Sequence, residues 1–415
     1  MLGFSSSYAR PRRVSSEQSV DLLVVGAGVT GVAVARALAL RAPRLSIAVV
    51  EKEAGVARHT SGRNSGVAHA GFNPRPGTLK ARFCVEGNRR IRAFCRERGV
   101  PVRDVGTLVV ARSADEAGAL EELRWRGEAN DVPDLRLLSA RELGAREPNV
   151  RGCAALLAPT GAVLDAQAYV EALARDAQER GVTFAFGTRV LGVETAGSGF
   201  RVLASDASFR CGHLVNAAGL QADRLAHHMG AGREFTIVPF RGEYHRVAER
   251  KANLVRAMVY PLPDPDHPFL GIHLTPTAGG QLRIGPNAVL ALGRESYRPW
   301  QVHPGDVLAL ASDPRAWRLL TPSFVRTAVG QLRTSLSRHA FLREASTLVR
   351  GLELADLEGR FPAGNRAQLV DRRGRLVDDL VVERDGTTLH ILNVVSPGLT
   401  CSLPFADHLV DTFPD

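Results

Sequence analysis

Residues 20–31 read VDLLVVGAGVTG, and the fold follows from how this stretch is punctuated. An apolar run from Val20 to Val25 stops at Gly26. An alanine- and valine-rich run from Val29 to Leu40 has helical character. A second apolar run, Ser46 to Val50, ends at Glu51, twenty residues after Gly31. Gly26, Gly28 and Gly31 therefore form G-x-G-x-x-G between a predicted strand and a predicted helix, inside one β-α-β crossover. Gly26 permits the tight turn, Gly28 lets a pyrophosphate approach the backbone, and Gly31 lets the helix lie close on the strand. Val29 and Thr30 open the helix, whose free N–H groups present partial positive charge to phosphate. The carboxylate of Glu51, followed by Lys52, suits a ribose 2′-hydroxyl and disfavours a 2′-phosphate. The fingerprint leaves FAD and NAD both open.

Outward from this unit the chain alternates between two kinds of pattern. Thr78 to Arg98 predicts a helix with Leu79, Phe83, Ile91 and Phe94 on one face. Val105 to Ala111 predicts a strand. Ser113 with Glu116, and Ser139 with Glu142, predict capping boxes. Asp165 is expected to cap a helix that ends before Gly181. Strands are expected at 182–186, 189–194, 200–204 and 213–216, the last running into Ala217, Ala218 and Gly219. Alternating apolar and polar residues over 235–290, including 235–245 and 269–274, predict antiparallel sheet. Helices are expected over 304–348, strands over 366–393, and a last helix near Pro397. The fold class expected is α/β: a Rossmann-like dinucleotide-binding domain interleaved with an antiparallel-sheet α+β substrate domain. The expected division gives 1–18 to a flexible leader, 19–85, 150–232 and 355–415 to the first domain, and 86–149 and 233–354 to the second.

Composition narrows the function classes. The 415 residues are 45% hydrophobic and 23% charged, with a formal net charge of +10. Only three of the 53 basic residues are lysines, Lys52, Lys80 and Lys251, so much of the basicity reflects arginine-rich coding. No Lys/Arg run with interleaved aromatics supports nucleic-acid binding. Five cysteines, none in a C-x-x-C pair, argue against a disulfide framework or a zinc site and for a reducing compartment. No metal-ligand constellation is visible. No apolar stretch is long enough to cross a membrane; peripheral contact stays open. The Ser- and Arg-rich start reads as a leader, with a transit peptide as the alternative. The expected location is cytoplasmic, with membrane-peripheral placement or the mitochondrial matrix as alternatives.

Beyond the second strand, Arg58 to Gly71 reads RHTSGRNSGVAHAG, dense in small and hydrogen-bonding residues, and suits a backbone passing a flat polar ring. This segment resembles the flavin-proximal segment of the FAD-dependent L-2-hydroxyglutarate dehydrogenases and oxidases, in the D-amino-acid-oxidase-like superfamily. The similarity continues through 79–84 (LKARFC), 147–149 (EPN), 218–224 (AGLQADR), 239–244 (PFRGEY), 260–265 (PLPDP after Tyr260), 268–275, 285–291 (GPNAVLA) and 366–368 (RAQ). The chain departs from the pattern at Arg63, at Phe72 and Asn73, at Asn365, and across 393–400.

The resemblance implies bound FAD and oxidation of an L-2-hydroxy dicarboxylic acid, here L-2-hydroxyglutarate to 2-oxoglutarate, by hydride transfer to flavin N5. Alternatives are another 2-hydroxy acid, an amino acid or amine on the same fold, or a flavin-binding protein without turnover. The segment after Glu51 places Thr60, Ser61, Asn64, Ser65 and Gly66 among the cofactor residues. Val190, Ala218 and Gly219 follow from matching strand and turn positions, and Ser396, Pro397, Gly398, Leu399 and Thr400 from the turn into the last helix. Ser402 is a further hydroxyl candidate. His69 is the expected base or hydroxyl-orienting group, since imidazole titrates near neutrality. Arg241 and Arg366 are expected to clamp carboxylates, Arg366 also lying against the flavin ring, with Tyr244 and His273 in support. Arg63 contributes either a cation to the substrate or a contact to FAD. The partners expected are a small anionic substrate and an electron acceptor: oxygen, a quinone or an electron-transfer protein.

Overall fold

The computed structural model describes residues 17–263 and 271–412. Residues 1–16 of the expected leader (1–18), part of the PLPDP and 268–275 motifs and the start of the 269–274 strand lie outside them.

The β-α-β unit forms as the glycine pattern predicts. Strand Glu17–Val25 lies parallel to Ile47–Val50 on one side and to Ser208–Asn216 on the other. The strand starts two residues inside the expected leader. Glu17 pairs in register with Ser208, and its carboxylate meets Arg201 and Arg210. Thr183–Ala185 and Thr388–Asn393 extend this sheet in parallel, and antiparallel strands Val190–Ala196 and Gly199–Ala204 continue it. Parallel strands must be covered on both faces. The helices Val29–Arg41, Ala166–Glu179 and Gly398–Asp411 share one continuous core with the sheet.

Helix Leu79–Glu97 joins that same core through Phe83, Ile91, Phe94 and Cys95. The expected division at residue 85 therefore falls inside this helix. Its apolar stripe packs as one face, so both halves belong with the dinucleotide-binding lobe.

The other lobe is built on an eight-stranded, mainly antiparallel sheet that includes Thr107–Ala111, Met258–Pro261, His273–Pro276 and Leu282–Gly285. Thr107–Ala111 starts two residues later than predicted, after Gly106, which has φ +72°. Between the lobes, Thr236–Gly242 pairs with Gly364–Val370 in a three-stranded sheet. Leu357–Arg360 pairs with His245–Val247 in the large antiparallel sheet, so this strand, within the stretch expected in the first domain, is hydrogen-bonded to the second lobe.

The caps show where local rules hold. At Ser139 both arms of the capping box form. At Ser113 only one does: its side chain accepts from Glu116 N–H, while the Glu116 carboxylate binds Arg112 N–H and guanidinium. Asp165 caps its helix through Ala168 N–H. All five cysteines are free thiols.

Candidate active site and cofactor groove

Two cavities meet at the first β-α turn. The larger, about 520 Å3, runs past Gly26, Glu51, Lys52, Val190 and Ala218. The other, about 210 Å3, runs past Val29, Thr30, Asn64, Ser65, His69, Tyr244 and Arg366 to Ser396–Leu399. Gly28, Thr60, Ser61, Ala217 and Gly219 line both, so the two form one groove.

The turn is shaped for close approach. A Cβ on Gly31 would stand 2.0 Å from the Gly26 carbonyl oxygen, and one on Gly26 would stand 2.6 Å from that of Ala217. Gly28 is different: a Cβ there would meet only the Ser61 hydroxyl, at 3.1 Å, and would fill the groove itself. Ser61 accepts from Val29 N–H, leaving the rest of the first helical turn open to an anion. The Glu51 carboxylate is oriented by Ala27 N–H and Glu53 N–H and retains acceptor capacity toward the groove. A pyrophosphate cradle, a carboxylate at ribose distance in sequence, and a second chamber beyond the turn are the features a flavin dinucleotide requires. The residues present fit FAD.

Several expected cofactor residues play structural parts. Gly66, at φ +66°, lets the chain pass the Leu164 carbonyl, which a Cβ would strike at 2.3 Å. The Thr400 hydroxyl is fully buried; it accepts from His69 N–H and donates to the Val67 carbonyl. Ser402 is bonded to Tyr169. Both hydroxyls turn inward because the helix buries that face. The Thr60 hydroxyl donates to the Asn365 carbonyl, tying the flavin-proximal segment to the Gly364–Val370 strand. His228 lines the groove, while His227 bonds the Gly232 carbonyl.

His69 is held by its backbone. Its N–H donates to Thr400, and its carbonyl accepts from the Asn88 amide at 3.1 Å. The ring is free to face the cavity, with Nε2 3.4 Å from the Ser396 hydroxyl. Burial, then the charges of Lys80 and Arg366, push its pKa down to about 4. With so low a pKa the imidazole is neutral at pH 7. Arg366 is half-buried in the wall. Burial lowers its pKa and the Tyr244 hydroxyl opposes that shift. Tyr244 lines the same cavity; burial raises its pKa. Arg63 lines the cavity too, stacked on the Tyr297 ring at 4.3 Å with Nε donating to the Arg58 carbonyl.

Two expected residues stand outside the cavity walls. Arg241 is buried, and its guanidinium is engaged by Glu243 at 2.9 Å and by the Arg298 carbonyl. Glu243 follows the end of the Thr236–Gly242 strand, two residues after Arg241, and is buried beside it. His273 donates Nδ1–H to the Gly271 carbonyl and packs edge-on against Tyr260. Burial drives its pKa to about 3, with Arg366 and His69 adding to the shift.

Two features were missed in the sequence. Lys80 lines a smaller chamber of about 100 Å3 that opens beside His69, Ser396 and Pro397. Its signal was the rarity of lysine among the basic residues. The fold also gathers Glu53, His59 and Glu295 at metal-ligand spacing. Lys52 Nζ already bridges the two carboxylates at 2.9 and 2.7 Å, so an ammonium supplies the cation there.

The FAD dependent oxidoreductase family matches residues 21–412. The L-2-hydroxyglutarate dehydrogenase of Escherichia coli is 36% identical over 94% of this chain and 92% of its own. The human mitochondrial L-2-hydroxyglutarate dehydrogenase is 35% identical over 99% and 92%. Among solved structures, the FAD-bound L-alpha-glycerophosphate oxidase of Mycoplasma pneumoniae superposes with a TM-score of 0.76 at 25% identity, covering 96% of each chain. Glycine oxidase from Geobacillus kaustophilus gives 0.72 at 19% identity, also over 96% of each, and shows the shared fold. The resemblance read from the sequence motifs agrees with these findings.

Proposed function

Because this chain belongs to the FAD-dependent oxidoreductase family, and within it to the L-2-hydroxyglutarate dehydrogenases, we propose that it oxidises L-2-hydroxyglutarate to 2-oxoglutarate. FAD, its cofactor, supplies when bound the acceptor for the hydride from C2. The observation that carries the reading is a neutral imidazole, His69, facing the cavity beside Arg366 and Tyr244. Arg366 binds the C1 carboxylate, Tyr244 bounds its position, and His69 Nε2 takes the hydroxyl proton. An anion bound between His69 and its neighbouring cations lessens their repulsion of an imidazolium, so substrate raises the basicity of its own base. The Ser396–Leu399 turn brings the N-terminus of the last helix to the cavity, where it favours negative charge.

Anaerobic addition of substrate tests this reading. L-2-hydroxyglutarate, and not amino acids, is expected to bleach the flavin band near ~450 nm. Bleaching by an amino acid alone would transfer the chain to the amine-oxidising readings. No bleaching by any 2-hydroxy acid would sink the proposal.

The electrons leave to an acceptor, which we place at a membrane. No helix of the described residues is long and apolar enough to cross one. Helix Pro322–Leu336, however, turns Val325, Val329, Leu332 and Leu336 outward, with Arg326 and Arg333 alongside. Exposed Trp317 and Leu308 lie on the helices just before it. Apolar side chains edged by arginine suit an anionic bilayer. We infer a cytoplasmic protein in peripheral contact with one. Co-flotation with phosphatidylglycerol vesicles, lost in Val329→Glu/Leu332→Glu, is the expected result; flotation unaffected by that pair would remove this surface.

A further inference from the structure

We propose that Lys80 is the specificity-determining cation for the second carboxylate of the substrate, and that the 100 Å3 chamber it lines is the subsite for that group. This inference rests on the hydroxy-acid reading above. The chamber and the main cavity share His69, Ser396 and Pro397 as a common wall. A molecule whose reacting carbon lies at His69, with its first carboxylate toward Arg366, can extend its other end along the walls that His69, Ser396 and Pro397 share between these two spaces. The second chamber is lined by Phe72, Val109, Tyr260 and Pro261, which suit methylenes, and by the ammonium of Lys80 together with its partner Asp378.

Lys80 is built to meet an anion. It is 5% exposed, and a buried ammonium requires a partner. Its ion pair is with Asp378 at 3.1 Å, whose side chain is 78% exposed. A carboxylate so open to water holds its partner weakly, and an incoming carboxylate can replace it at little cost. The neighbouring Asp379 has a separate task. Its two oxygens accept from Leu79 N–H and Lys80 N–H and fix the start of the helix. The ammonium is thus presented on a pinned backbone, with a counter-ion able to swing into solvent.

The test compares L-2-hydroxyglutarate with L-2-hydroxypentanoate, which has the same length and lacks the second carboxylate. In Lys80→Met, kcat/KM for the dicarboxylate is expected to fall about 10- to 100-fold, the worth of one charge-assisted hydrogen bond. The loss should lie in KM, the monocarboxylate should change less than ~3-fold, and Lys80→Arg should restore part of the preference. Equal losses on both acids, or no loss on either, would overturn the proposal. Equilibrium binding of glutarate, read from the bound-flavin spectrum, separates this idea from the dehydrogenase reading. Weaker glutarate binding by Lys80→Met supports the subsite even in a chain that no hydroxy acid reduces; equal binding overturns it. Should Lys80→Met not retain FAD, Asp378→Asn carries the test. Removing the competing counter-ion is expected to tighten glutarate binding several-fold, and unchanged binding would overturn the subsite.

Discussion

Replacing His69 by alanine separates chemistry from architecture in this site. The segment around residue 69 is held through main-chain bonds, N–H to Thr400 and carbonyl to Asn88, that alanine keeps. Among the described residues the ring makes one long hydrogen bond, 3.4 Å to the Ser396 hydroxyl. The stability cost should therefore stay below about 1 kcal/mol, and FAD should remain bound. Loss of a positioned base costs about 10²- to 10⁴-fold in rate, or about 3–5 kcal/mol of transition-state stabilisation. The assay is stopped-flow reduction of the bound flavin by L-2-hydroxyglutarate without oxygen. A pH series adds a second arm. The base form of His69 persists down to its pKa of about 4, so kcat/KM in the wild type should not fall as pH passes through the usual histidine range near ~6.5. A variant that reduces flavin at the wild-type rate removes His69 from proton transfer. An acid limb near ~6.5 refutes the claim that burial, with the charges of Lys80 and Arg366, sets its pKa.

Gly28→Ala should fold normally and lose FAD affinity, since its Cβ points into the groove, whereas Gly31→Ala should also unfold more readily because its Cβ overlaps the Gly26 carbonyl; flavin content and thermal melts distinguish the two. Arg294→Met strands the buried Asp223 carboxylate that its Nη2 meets at 2.8 Å, an expected loss of about 3–5 kcal/mol, and Asp223→Asn in the same chain should recover part of it; additive losses would disprove the pairing. His273 has its pKa lowered to about 3 in the folded chain, so between pH ~6.5 and ~3 the unfolded chain binds the extra proton. Its contribution is intact above ~6.5 and is lost as pH falls toward 3. Denaturant titrations of His273→Gln should accordingly lose less stability than wild type on acidification, by up to a few kcal/mol, and parallel pH curves would contradict this.

The dinucleotide turn was legible because its determinants are local. Gly31 is set by the Gly26 carbonyl five residues earlier and Gly26 by its φ of +105°, and the strands and helix around them follow periodicity; the contacts of Gly26 with Ala217 and of Gly28 with Ser61 add constraints from farther along the chain. The same holds for the Ser139 cap, whose two arms lie three residues apart. Local rules gave way where a side chain had a charged alternative, as Glu116 does in Arg112.

The site's polar partnerships were another matter. The motif PFRGEY selected Arg241 as a substrate clamp. Both side chains are buried, and the guanidinium pairs with Glu243 just past the end of the strand. Conversely, Lys80 sat in a stretch read only as one helix face and a motif match. What gives it meaning is the packing of helix Leu79–Glu97 under the His69 segment, through Asn88, which sets an ammonium beside an imidazole eleven residues earlier in the chain. The sequence alone determined the β-α-β start, the cofactor class and the family. Only the tertiary structure decided which of many cations reach the cavity, because desolvation and partner geometry depend on residues far apart in the chain, and with 53 basic residues no local pattern could rank them.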